Sequence, residues 1–125
     1  MLVLPRRWHP VVHVIREPIL TATLDEMSQR MFGNLVKAVV DVEQGIMAID
    51  AEMHADEEAL LLSEGSRQGD LWGINLYPKD FGTPEFIEFD SVINIRPSQG
   101  NRTRSVEDPD VRARIAAIVN RLVAR

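Results

Sequence analysis

The stretch "VKAVVDVEQGIMAID", residues 36–50, decides the fold. Gln44-Gly45 has the residue types of a two-residue hairpin turn. With that turn, Val42 faces Met47 and Val40 faces Ile49 on one side of the ribbon. On the other side Glu43 meets Ile46, Asp41 meets Ala48, Val39 meets Asp50 and Lys37 meets Glu52. Side chains alternate along a strand, so one face is apolar and the other mostly polar. A hairpin in the middle of the chain predicts an antiparallel sheet.

On the N-terminal side, "VVHVIREPI" is β-branched and predicts a strand over residues 11–16 that stops before Pro18. "TLDEMSQRMFG" predicts a short helix, with Thr23 as cap, Glu26 closing a capping box and Gly33 ending it. Residues 1–10 read as an N-terminal extension of a single domain spanning residues 1–125.

On the C-terminal side, "EEALLLSEGSRQGDLWGINLYP" reads as a second hairpin. Its second arm alternates, with Trp72, Ile74 and Leu76 on one side. Its first arm has no period, so a two-turn helix from Asp56 competes with a strand. "EFIEFDSVINIRP" alternates along its whole length and predicts one long strand, bulged near Asp90-Ser91 and closed by Pro97. The last element is a helix with Asp108 as cap, Pro109 in the first turn and a stripe of Val111, Ile115, Ile118 and Leu122. The sum is an α+β domain of two layers: a mainly antiparallel sheet of about five or six strands with two helices on one face.

The chain has 125 residues, no cysteine, and a net charge of −5. The missing cysteines exclude disulfides and thiol chemistry and fit a reducing, cytoplasmic setting. No apolar run is long enough for a membrane span. Residues 1–95 carry 7 Lys/Arg against 16 Asp/Glu, a balance of −9, and residues 96–125 carry 7 against 3, a balance of +4. The acidic total argues against nucleic-acid binding. The basic C-terminal quarter reads either as a complement to the acidic remainder or as an anion site.

Two stretches hold the candidate site residues. "EMHADEE", residues 52–58, places His54 among carboxylates. If extended, it projects His54, Asp56 and Glu58 to one side as a metal or acid/base row. If helical, it places acids in the first turn, where the helix dipole favours them. Asp41 and Glu43 share one strand face and join His54 and Asp56 in the alternative of a small metal-dependent hydrolase or nuclease. No zinc-protease or phosphate-loop spacing is present, and Ser63, Ser66 and Ser98 have no base partner, which argues against nucleophilic catalysis. "NIRPSQGNRTRS", residues 94–105, gathers Arg96, Ser98, Asn101 and Arg102 around Gly100 and suits a phosphate or carboxylate. The competing reading is a connection whose polar groups satisfy its own backbone.

The pieces "MHADEEALLL", "GSRQ", "LWGINLYP" and "INIRPSQGNR" together resemble a small bacterial family of unknown function, from about Pro18 to the final helix. The resemblance implies no activity and no cofactor. It implies that the histidine–acid stretch and the arginine loop belong together. The expectation is therefore a binding or interaction module that self-associates and takes a small anionic ligand, with an enzymatic role left open. A toxin-like, RNA-acting protein is a further alternative that rests only on the basic C-terminal segment.

Overall fold

In the computed structural model, residues 12–125 are described; Val11 and the N-terminal extension lie outside them. Five strands form one antiparallel sheet: β1 (His13–Ile15), β4 (Ile46–Ile49), β3 (Val36–Asp41), β5 (Leu71–Leu76) and β6 (Ile87–Glu88), side by side in that order. A second, parallel pair joins β2 (Ile19–Leu20) to β7 (Val123–Ala124). Three helices complete the fold: α1 (Thr21–Arg30), α2 (His54–Ser63) and α3 (Pro109–Leu122). The architecture is α+β with a mainly antiparallel sheet, as expected. Among the described residues no helix is long and apolar enough to cross a membrane.

The central hairpin forms, but its register differs from the expected one by two residues. Asp41 pairs with Ile46, Val40 with Met47 and Ala38 with Ile49, so residues 42–45 make a four-residue loop. The cause is Asp41. Its Oδ1 accepts the backbone N–H groups of Glu43 and Gln44, each at 2.9 Å, and folds the chain before Gln44-Gly45 is reached. Gly45 takes φ +71°, a left-handed turn that glycine adopts at least cost. Because the shift is even, every side chain keeps its face. The Lys37–Glu52 pair does not form; Lys37 lies opposite Asn75 instead.

The expected apolar face is the main core. Ala38, Val40, Val42, Met47 and Ile49 pack with Trp72, Ile74 and Leu76 against Leu24 and Met27 of α1 and Ile115, Val119 and Leu122 of α3. Each fully buried aliphatic side chain there contributes about 2 kcal/mol. The opposite face is not the polar surface expected of it. Val39, Ile46, Ala48 and Leu71 are buried with Leu61 of α2. Helix α2 thus adds a covering element on the side away from α1 and α3, and the helical alternative for its segment is the observed one. Its inward stripe is His54, Glu57 and Leu61, at helical spacing.

Three further expectations change. Helix α1 begins two residues before Thr23, Leu20 precedes it without a side-chain cap, and no capping box forms. Gly33 does close it, at φ +91° with its N–H on Ser28 O at 2.6 Å. The long strand is only Ile87–Glu88, and 3-10 turns follow at Val92–Asn94 and Pro97–Gln99. Asn94 ends the pairing by standing in for a strand: its amide accepts from Gly73 N at 2.8 Å and donates to Gly73 O at 2.9 Å. Helix α3 matches its expected start, with Asp108 Oδ1 accepting from Asp110 N at 2.8 Å.

Candidate functional site

The arginine loop is organised around two buried polar side chains. Asn101 donates to the carbonyls of Asn94, Thr103 and Ser105 and accepts from Glu107 N. Arg96 stacks over Trp72 at 4.4 Å and donates to the carbonyls of Ile93, Gln68 and Leu71 and to Gln99 Oε1. Four of its five N–H donors are therefore occupied. Burial lowers its pKa from the ordinary arginine value. Ser98 and Arg102 are exposed. Glu107 accepts the N–H groups of Arg102 and Thr103 on one oxygen, at 2.8 and 2.9 Å. These hydrogen bonds hold its carboxyl below the usual glutamate range. Of the four expected anion ligands, only Ser98 and Arg102 face solvent.

The two carboxylates of "DVE" separate. Asp41 is fully buried and accepts four hydrogen bonds, the two from the turn and two on Oδ2 from Gln44 Nε2 at 2.9 Å and Ser66 Oγ at 2.6 Å. Glu43 is exposed, 4.0 Å from Arg114. Asp56 is exposed in the first turn of α2, and Glu58 is half-buried beyond it. Among the described residues no group of three or more His, Asp or Glu is placed to hold a metal ion.

His54 is the expected residue that lines a cavity. The cavity, of about 650 Å³, opens between the first turn of α2 and the segment Asp90–Ile93. Its floor is a row of side chains in register across three strands: Lys37 on β3, Asn75 on β5 and Glu88 on β6. Phe32 and Leu35 close one end, and Met53 and Val92 stand exposed at the rim. Gly73 makes this shape. A Cβ there would come within 2.6 Å of Ser91, so the far wall rests on the sheet only because residue 73 has no side chain.

The polar groups differ in what they have left to offer. His54 Nε2 lies 2.7 Å from Ile74 O, so that nitrogen carries the proton and donates. Burial lowers the ring's pKa against the opposing pull of this hydrogen bond, and His54 is neutral at pH 7. Asp90 is bound bidentately by Arg104, at 2.7 and 3.3 Å, and is held below the usual aspartate range by it. Glu88 Oε1 accepts from Asn75 Nδ2 and Tyr77 Oη, both at 2.9 Å. Asn75 is buried, its Nδ2 also reaches Asp90 O at 3.3 Å, and its enclosed Oδ1 has no partner among the described residues. Lys37 rests over the Phe32 ring at 5.1 Å and has no carboxylate partner among the described residues.

The histidine–acid stretch and the arginine segment therefore border one cavity through His54 and Arg104, and Glu58 lies near enough to Arg96 for its charge to oppose the effect of burial there. Lys37, Asn75, Glu88 and Asp90, which line the cavity beside His54 and Arg104, are not among the residues expected from the sequence. The first three become neighbours only once the β3–β5–β6 pairing is known. Glu57 is also unexpected: it is fully buried, its Oε2 accepts from Ala51 N at 3.1 Å, and its Oε1 has no partner among the described residues. Burial raises its pKa well above the ordinary glutamate value.

Residues 13–122 match the model of a family described as "Protein of unknown function (DUF5674)". No curated protein and no solved structure matches the chain.

Proposed function

We propose that this chain, which belongs to the DUF5674 family, is a binding module whose site is the Lys37–Asn75–Glu88 groove and whose ligand carries an anionic group. The observation that carries this reading is Lys37. It is a cation on the floor of an open cavity, and no carboxylate among the described residues neutralises it. A lysine ammonium has three rotatable donors and binds carboxylate or phosphate as a point charge. The first turn of α2 has no side-chain cap at Met53 and contributes Met53, His54 and Ala55 to the same cavity, and a helix N-terminus favours an anion. This moves the anion site from the arginine loop to the groove. The metal-dependent hydrolase has no ligand cluster to build on among the described residues. The RNA-acting alternative has no further observation behind it.

Self-association and a cytoplasmic location belong to the same reading. Leu20, Leu62 and Ile95, which do not line the groove, are all at least 40% exposed and supply apolar surface for a second copy. Sedimentation velocity at micromolar concentration tests this, and a clean monomer refutes it.

A thermal-shift screen with carboxylates and inorganic phosphate tests the anion site. Lys37→Met is expected to abolish the ligand-induced shift while leaving the unliganded melting temperature within a few degrees. Arg102→Ala is expected to keep the shift. A shift lost in Arg102→Ala and kept in Lys37→Met would place the site back on the loop.

A further inference from the structure

The groove holds one charge of each sign that the other does not cancel. Lys37 and Glu88 lie two strands apart, with Asn75 in register between them. Neighbouring strands are about 4.8 Å apart, so the two backbones are separated by roughly 10 Å. Both side chains are long enough to meet, yet they make no ion pair. The Lys37 ammonium lies over the Phe32 ring at 5.1 Å. Glu88 is held at its own end by Tyr77 and Asn75 through Oε1, and its Oε2 has no partner among the described residues. Between them lies Asn75, whose Nδ2 donates to Glu88 and whose Oδ1 is enclosed and without a partner among the described residues.

We propose that the ligand is a free α-amino acid with an apolar side chain. Its carboxylate lies on Lys37 and toward the uncapped first turn of α2. Its ammonium lies on Glu88 Oε2, the free acceptor on the floor. Its side chain packs on Phe32, Leu35, Met53 and Val92, which give the cavity its apolar end and rim. The Asp90–Arg104 pair is self-satisfied and forms wall. His54, neutral and tied to Ile74 O, adds no competing charge. A simple anion would use Lys37 and leave Glu88 unanswered; a simple cation would do the reverse. This inference rests on the groove being the binding site.

Isothermal titration calorimetry on the full chain tests it with L-leucine, L-methionine and L-phenylalanine. Two controls each carry a single charge, 4-methylpentanoate and 3-methylbutylamine, and inorganic phosphate is a third. At least one amino acid is expected to bind about tenfold or more tightly than either control, as removal of a charge-assisted hydrogen bond implies. Glu88→Gln keeps an oxygen for Tyr77 and Asn75. It is expected to weaken amino-acid binding about tenfold and to leave 4-methylpentanoate or phosphate binding unchanged. If 4-methylpentanoate binds as tightly as L-leucine, or Glu88→Gln has no effect, the zwitterionic ligand is refuted and the anion site stands. If none of the six compounds binds, both are refuted.

Discussion

Glu57 shows what one side chain does to the stability of the whole. It is fully buried beside Ala51 N, and burial raises its pKa well above 4.5. The folded state therefore holds this proton at pH values where the unfolded chain has released it. With more protons bound in the folded state, stability falls as pH rises. The contribution is fully present below the unfolded value of about 4.5 and is lost as pH rises through the raised folded value. Glu57→Gln, which keeps an acceptor for Ala51 N without a titrating proton, is expected to flatten this decline. Melting curves between pH 4 and pH 9 check it. Equal slopes for parent and variant would show that Glu57 is not the group responsible. The sequence showed Glu57 as one acid in a run of three, and only the rotation of α2 separates buried Glu57 from exposed Asp56. Arg96 is a similar case. Its charge was legible, but the carbonyls of Gln68, Leu71 and Ile93 that occupy it come from segments whose meeting no local pattern records.

Among the elements, those legible in sequence have a strong local signal. Helix α3 has a cap, a proline and an apolar stripe that agree with one another, and it forms where they place it. The central hairpin kept its faces but not its register, because an aspartate reaching its own following amides outweighed the Gln44-Gly45 turn. Residues 85–96 misled for a tertiary reason. Their alternation suits a strand, but Asn94 docks on Gly73 and holds the chain in a tight turn instead. Two substitutions test this. In Gly73→Ala the new Cβ meets Ser91 at 2.6 Å and Ile93 at 3.1 Å, and overpacking of this kind costs about 1–3 kcal/mol. Asn94→Ala leaves the Gly73 N–H and C=O without partners and costs about 2 kcal/mol or more. Urea denaturation reads both. A pair of near-neutral results would mean that the Ser91–Asn94 segment is not held on the sheet.

At the scale of the molecule, most of the arginines behind the swing from acidic to basic at residue 96 are held by other groups of the chain. Arg104 pairs with Asp90, Arg114 reaches Val42 O and Glu43, and Arg121 reaches Gly45 O. Arg112 and Arg125 lie over Phe89 and Phe81. Arginines held this way fasten the C-terminal segment to the rest of the fold. The charges of the proposed site lie on the strands instead, at Lys37 and Glu88, beside the first turn of α2. That arrangement is the central claim, and amide chemical-shift mapping tests it most directly. A ¹⁵N-labelled sample is titrated with L-leucine and, separately, with inorganic phosphate. The account predicts that the largest changes fall on Lys37, Ala55, Asn75, Glu88 and the Asp90–Ile93 wall, with residues 96–102 nearly still. Changes concentrated at residues 96–102, or none above baseline with either compound, would contradict it.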